Sequence, residues 1–185
     1  MALLTVLLSM AVPASGRNAG APAPGARFTL SSPQLTPGGR VPLALVYDRN
    51  GCRGQNRSPA LTWRNAPSAT RSFALLIYDS DAWGGWWHWL VIDIPADISG
   101  LPAGAGDPRG GALPAGAVQT RNDYGSFGYG GPCPPPGRAH HYHIFLYALG
   151  VPKVAVAADA PPGAVAAAVR AEAIAEAEIT VLYGR

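Results

Sequence analysis

The sequence predicts a mostly β fold with long, irregular loops and one helix near the C-terminus. Three observations carry this. Glycine and proline are abundant, 23 and 19 of 185 residues, so turns are many and long helices few. The chain is 48% hydrophobic and only 14% charged, enough apolar matter for a core and too little charge for disorder. Three segments are dense in β-branched and aromatic residues and bounded by turn formers: 71–79 (RSFALLIYD), 87–94 (WHWLVIDI) and 141–149 (HYHIFLYAL).

Taken in order, the chain opens with an apolar run from Ala2 to Val12, followed by a small-residue stretch at Val12-Pro13-Ala14. The run is too short to span a bilayer and suits a signal peptide, although no Lys or Arg precedes Arg17. Residues 1–26 are therefore expected to be a signal and a flexible Gly/Pro/Ala linker, and 27–185 a single domain of an exported protein. A first strand is expected over 27–31, a turn at 37–39, a strand-like segment over 41–47 and a loop over 48–59. Residues 99–118 form a Gly/Ala/Pro excursion too long for a simple connector, which reads as a functional loop or a disordered insertion. The alanine- and glutamate-rich run 164–178 predicts one helix, and 179–185 an extended tail.

Composition also narrows function. The net charge is +3, Lys153 is the only lysine, and the arginines are scattered, so no basic stripe tracks a nucleic-acid backbone. Cys52 and Cys133 lack zinc-site spacing. They could pair in an oxidising compartment or remain separate thiols. No GxSxG or Walker loop is present.

Residues two apart on a strand share a face. That rule aligns Phe73, Leu75 and Ile77 with Asp79, His88 with Leu90, Ile92 and Ile94, and His140 and Tyr142 with Ile144, Leu146 and Ala148. Each row ends in an ionisable or hydroxylated side chain. Antiparallel pairing would gather Asp79, His88, His140 and Tyr142 at one rim, with Asp81 just outside. Such a group suits an oxyanion, and the Gly130-Gly131 backbone could add N–H donors. His88, His140 and Asp79 could instead form a His₂-carboxylate metal site for hydrolysis. By parity His141 and His143 face the other side, and Trp86, Trp87 and Trp89 read as packing or as a rim around the pocket.

The order of several short motifs resembles the phosphatidylethanolamine-binding protein family, in its bacterial branch related to Raf kinase inhibitor protein. The motifs are FTLSSPQL at 28–35, SPALTW at 58–63, DSDA at 79–82, HW at 88–89, NDYGSFGYGGPCPPPG at 122–137, HHYHIFLYAL at 140–149 and AEAEITVLYGR at 175–185. The resemblance implies a β-sandwich with Greek-key topology, a C-terminal helix near the pocket and a small anion site without a cofactor. It assigns ligand contact to Asp79, His88, His140 and Tyr142. Support comes from Asp81, from Tyr129, Gly130, Gly131, Pro132 and Cys133, and from Tyr183. It implies a binding or regulatory protein rather than an enzyme, with phosphate-bearing small molecules or lipid headgroups, or a kinase or protease, as partners. Apart from the resemblance, oligomeric state is open, and an exposed tryptophan cluster would serve as the interface of a homodimer. His141 stands where the family usually has an arginine, which weakens an expected ion pair.

Overall fold

The computed structural model describes residues 26–109 and 112–185. The signal-peptide reading lies outside the described residues. Two antiparallel sheets face each other. The smaller has the order β1-β2-β5, built from β1 (Thr29–Ser31), β2 (Leu61–Arg64) and β5 (Gly100–Leu101). The larger has the order β6-β4-β3-β7-β8, with β3 (Ser72–Asp79), β4 (Trp86–Pro95), β6 (Val118–Gln119), β7 (His140–Leu149) and β8 (Ala173–Tyr183). One helix, α1 (Pro162–Ala171), packs on the larger sheet.

Strand β3 is central and buried on both sides, which explains its nearly continuous apolar sequence. Phe73, Leu75 and Ile77 join Leu61, Trp63 and Leu101 in the core between the sheets. Ala74 and Leu76 point the other way, to Val165, Ala166 and Val169 of α1. Each Val or Leu buried there is worth roughly 1.5–3 kcal/mol. The helix therefore lies across the sheet from the inter-sheet core, and it supplies no wall to the cavity described below, contrary to the expectation that it sits near the pocket.

The expected helix over 164–178 ends early. Residues 173–178 are strand instead, paired with β7 in the register Ile144↔Ile179 and Leu146↔Ala177. Ala and Glu favour helix by only tenths of a kcal/mol per residue. Against that stands the edge of β7, whose buried backbone groups need partners. The period-two pattern was also present: Ala177, Ile179 and Val181 are buried while Glu176 and Glu178 are exposed. The strand-like segment 41–47 is likewise corrected, to a 3-10 turn at Leu43–Leu45. Pro42 has no N–H to give a ladder, and burial does not alternate, since Leu43 is exposed while Leu45 and Val46 are both buried.

The excursion 99–118 is packed where it is described. It carries β5 and the first residue of β6, and Ala105 is buried. A side chain at Gly106 would collide with Tyr129, its Cβ falling 2.5 Å from that residue's Cβ. Among the described residues no helix is long and apolar enough to cross a membrane.

Candidate ligand-binding cavity

The end of β3 meets the starts of β4 and β7, because both neighbours run antiparallel to it. Asp79 is therefore opposite Trp86 on one side and Tyr142 on the other. A cavity of about 420 Å³ opens over this junction, with Asp79, Trp86, His88, Tyr124, His140 and Tyr142 among its walls. Asp81, Cys133, Pro134, Pro135 and Arg138 also line it.

Alternation from Trp86 turns His88 toward the cavity, but the strand does not go on alternating. In β4 the pairing runs Asp79↔Trp86, Tyr78↔Trp87 and Ile77↔Trp89, leaving His88 as the extra residue of a bulge. A second irregularity lies between the partners of Phe73 and Leu75, where Asp93 adopts φ 59°. The expected row of His88, Leu90, Ile92 and Ile94 is thus corrected. Trp89, Val91 and Ile94 belong to the core between the sheets, whereas Leu90 and Ile92 pack under α1. The bulge lets both His88 and Trp89 face the same side.

The loop after β6 clamps His88 twice. Gly130 N–H donates to the His88 carbonyl at 2.9 Å, and His88 Nδ1–H donates to the Gly130 carbonyl at 2.7 Å. Because a carbonyl only accepts, the imidazole proton sits on Nδ1 and Nε2 carries a lone pair. Burial holds the His88 pKa down at about 4, against opposing help from the Gly130 carbonyl and the Asp79 charge. Asn122 braces the loop, donating to the Gly128 carbonyl and accepting from Ser126 N–H. Tyr124 donates to the Gly131 carbonyl, stacks on Tyr47 at 4.2 Å and presents its ring to the edge of His88.

Asp79 is saturated. Its Oδ1 accepts from Asp81 N–H and Ala82 N–H, and its Oδ2 accepts from His140 Nδ1–H at 2.7 Å. It thereby fixes both the DSDA turn and the His140 ring. Asp81 accepts from the backbone N–H and Nδ1–H of His141, and Arg138 Nη1 lies 3.3 Å from its other oxygen. These bonds from His141 hold its carboxyl below the ordinary range. The substitution of His141 for arginine therefore leaves Asp81 well partnered. His143, also on the outward side, bonds Ser80 and Glu178.

Six of the expected residues line the cavity: Asp79, Asp81, His88, Cys133, His140 and Tyr142. Five do not. Tyr129 is buried and donates to the Leu45 carbonyl. Gly130 and Gly131 form no donor nest, since their N–H groups are used by His88 O and Asn56 Oδ1. Their role is close approach: a Cβ at Gly131 would fall 2.2 Å from the Leu45 carbonyl oxygen. Pro132 accepts from Tyr47 N–H, and Tyr183 is buried opposite His140 with the Arg40 guanidinium over its ring. Cys52 and Cys133 are disulfide-bonded, tying the 48–59 loop to the cavity wall.

Sequence reasoning missed Tyr124 and Arg138 as wall residues and left Trp86 between packing and the pocket rim. Trp86 pairs with Asp79 only because of the bulge, and Tyr124 and Arg138 sit in loops that periodicity cannot orient. The expected exposed tryptophan cluster is corrected as well: Trp83 is fully exposed, but Trp86 and Trp87 are half-buried and Trp89 is in the core. The His₂-carboxylate alternative does not assemble, since among the described residues no three His, Cys, Asp or Glu side chains are grouped to hold a metal.

Among the described residues, five buried side-chain polar atoms lack a hydrogen-bond partner, and three of them belong to cavity walls: His88 Nε2, Tyr142 OH and Trp86 Nε1. Burial and the Asp79 charge push the Tyr142 phenol far up, so it remains a neutral donor. Most buried polar atoms in folded proteins have a partner, so these three stand out.

Fold and cavity together define a β-sandwich with a preformed cavity at one end of its larger sheet. The chain belongs to the phosphatidylethanolamine-binding protein family, whose model matches residues 31–184. Members of this family bind phosphate-containing ligands, and membership supports a binding or regulatory role. The chain is 44% identical to UPF0098 protein YbcL of Escherichia coli over 161 residues, covering 85% of this chain and 88% of YbcL. It is 38% identical to UPF0098 protein YbhB of the same organism over 156 residues, covering 83% of this chain and 98% of YbhB. The fold superposes on the crystal structure of E. coli YbcL, described as a new member of the mammalian PEBP family, with a TM-score of 0.84 at 43% identity, covering 86% of this chain and 99% of that one. A phosphatidylethanolamine-binding protein homologue from Chlamydia trachomatis matches with a TM-score of 0.72 at 27% identity, over 86% of this chain and 98% of that one.

Proposed function

We propose that the protein is a non-enzymatic, exported binding protein whose cavity takes the phosphate group of a small molecule or lipid headgroup. The observation that carries this is the set of unpartnered polar atoms on residues that line the cavity, His88 Nε2, Tyr142 OH and Trp86 Nε1. Of these, Tyr142 OH and Trp86 Nε1–H are donors that phosphate oxygens can accept from. The disulfide supports export, because such bonds persist in oxidising compartments. Kinase or protease inhibition, the other role carried by the resemblance, would use the same mouth, where Trp83 stands fully exposed beside the cavity.

Calorimetric titration of the purified protein with inorganic phosphate and O-phosphoethanolamine tests this. Binding to the natural sequence, weakened at least about tenfold in His88→Ala and His140→Ala variants that keep their thermal transition, is the expected result. Wild-type affinity in both variants, or no binding to the natural sequence at millimolar ligand, overturns it. Hydrolysis of a phosphomonoester by the metal-supplemented protein would replace the binding reading with a catalytic one.

A further inference from the structure

The face of the larger sheet turned away from the cavity carries a second cluster of reactive side chains. Asp79 ends β3 facing the cavity, so the next residue, Ser80, points to the opposite side. On that side β7 and β8 follow in order, with Tyr78 opposite His143 and His143 opposite Thr180. Glu178, two residues from Thr180, shares its face. Helix α1 covers the other end of this face, over Ala74 and Leu76, and leaves Ser80 exposed. The result is a row across three strands. Ser80 Oγ lies 2.9 Å from His143 Nε2, and His143 Nδ1 lies 2.6 Å from Glu178 Oε1.

The polarity of the row is fixed. Burial works against the Glu178 charge, but hydrogen bonds from the Thr180 hydroxyl, at 2.6 Å, and from His143 outweigh it and hold the carboxyl below its ordinary range. An ionised carboxylate only accepts, so the neutral His143 ring keeps its proton on Nδ1 and turns the Nε2 lone pair toward the Ser80 hydroxyl. The Phe145 ring, stacked on His143 at 5.6 Å with 6° between the planes, holds the imidazole in that orientation. A hydroxyl bonded to a basic ring nitrogen, with the partner nitrogen oriented by an acid, is the arrangement that activates a serine.

We infer that Ser80 is an activated nucleophile and a site of covalent acylation by an activated carboxylic ester such as an aryl ester, separate from the cavity and independent of the phosphate reading. Ser80 Oγ attacks the ester carbonyl carbon, and its proton passes to His143 Nε2. The ester C–O bond then breaks, and the departing aryloxide takes that proton, leaving acyl-Ser80 and a phenol. The same geometry limits the chemistry to one round. Ser80 N–H is bonded to the His141 carbonyl, and Asp81 N–H and Ala82 N–H to Asp79, so the backbone donors beside the nucleophile are not free to meet an oxyanion. A single such donor is worth about a hundred- to a thousandfold in rate. Attack and deacylation both lack it, so only esters with a good leaving group react and the acyl group stays on the protein.

Incubation of the intact protein with p-nitrophenyl acetate, followed by mass spectrometry of the chain and its peptides, tests this. The expected result is an acetyl group on Ser80 and no sustained release of nitrophenol once that site is filled. Lys153 is the only lysine, so competing acylation of amines is confined to it and to the N-terminus. Ser31, exposed and bonded to Thr62 rather than to a ring, is the internal control. In His143→Gln, labelling of Ser80 should slow at least about tenfold, since a positioned base contributes about a hundredfold or more. In Glu178→Gln the rate should also fall, and the ring-nitrogen NMR shifts of His143 should lose the signature of a proton fixed on Nδ1. The His143 and Glu178 side chains are 24% and 36% exposed, and an unchanged thermal transition verifies that each variant folds. Labelling of Ser80 no faster than of Ser31, or slowed less than tenfold in His143→Gln, overturns the inference. Unchanged ring shifts in Glu178→Gln overturn the part given to Glu178, and sustained nitrophenol release that requires Ser80 overturns the limit to one round.

Discussion

His88 couples the stability of this protein to pH. In the unfolded chain its imidazole titrates at the ordinary 6.5, and in the folded chain burial lowers that to about 4. Above pH 6.5 the ring is neutral in both states and its full contribution to stability is present. As pH falls below 6.5 the unfolded chain takes a proton that the folded chain refuses, so stability drops at about 1.4 kcal/mol per pH unit. The loss stops near pH 4, where the folded ring is protonated too, and it totals about 3 kcal/mol. The group is almost wholly removed from solvent, so no screening discount applies. Urea unfolding of the natural sequence and of His88→Gln, between pH 7.5 and 4.5, measures it. Gln can still donate to the Gly130 carbonyl but does not titrate. The expected gap between the two curves shrinks by roughly 2–3 kcal/mol over that range. Parallel curves, constant to within about 0.5 kcal/mol, would refute the buried neutral ring.

Other outcomes follow from the same contacts. The Cys52–Cys133 bond closes a loop with a sequence separation of 81, and replacing both residues by Ser should cost about 4.5 kcal/mol in the chain-entropy model, or about 9–18 °C of thermal midpoint by calorimetry. Asp79→Asn puts an amide N–H₂ or a weaker acceptor against His140 Nδ1 and the DSDA turn. It should lose both phosphate affinity, by at least about tenfold in titration calorimetry, and about 1–3 kcal/mol of stability by urea unfolding. Gly131→Ala sets a methyl 2.2 Å from the Leu45 carbonyl oxygen and should displace the cavity wall, read as a lowered thermal midpoint together with weakened phosphate binding.

How much of this was visible in the chain depends on which force placed each residue. Rows set by burial were legible: Phe73, Leu75 and Ile77 do lead to Asp79 on one side of β3, and His140 and Tyr142 do head the inward row of β7. In β4 the same rule put His88 in the right place with the wrong companions. Both faces of that strand are apolar, so composition cannot reveal a bulge that switches them. The C-terminal run was misread for a related reason. Alanine fits both helix and strand, and what decided between them was the free edge of β7, which lies some 30 residues earlier in the chain. The Gly130-Gly131 pair was legible as special, but its purpose was not. Glycine marks equally a donor nest and a close approach, and only the Leu45 carbonyl and the Tyr124 ring tell them apart.

The bulge at His88 also explains why this cavity has the polarity it does. Ordinary alternation through Trp86 and Trp87 would turn His88 inward and Trp89 outward, with the strand backbone continuing its ladder to β3. The inserted residue breaks that ladder, and the freed His88 carbonyl is taken up by Gly130 N–H, with Asn122 Nδ2 a further 3.3 Å donor. The loop that supplies Gly130 is held by Tyr124, Asn122 and the disulfide at Cys133, so the carbonyl facing Nδ1 is fixed in position. The chain of cause therefore runs from one extra residue in β4, to a loop docked against it, to a histidine locked in a single tautomer. A loop that could retreat would let the ring exchange its proton between nitrogens. A loop this well braced leaves His88 Nε2 an acceptor.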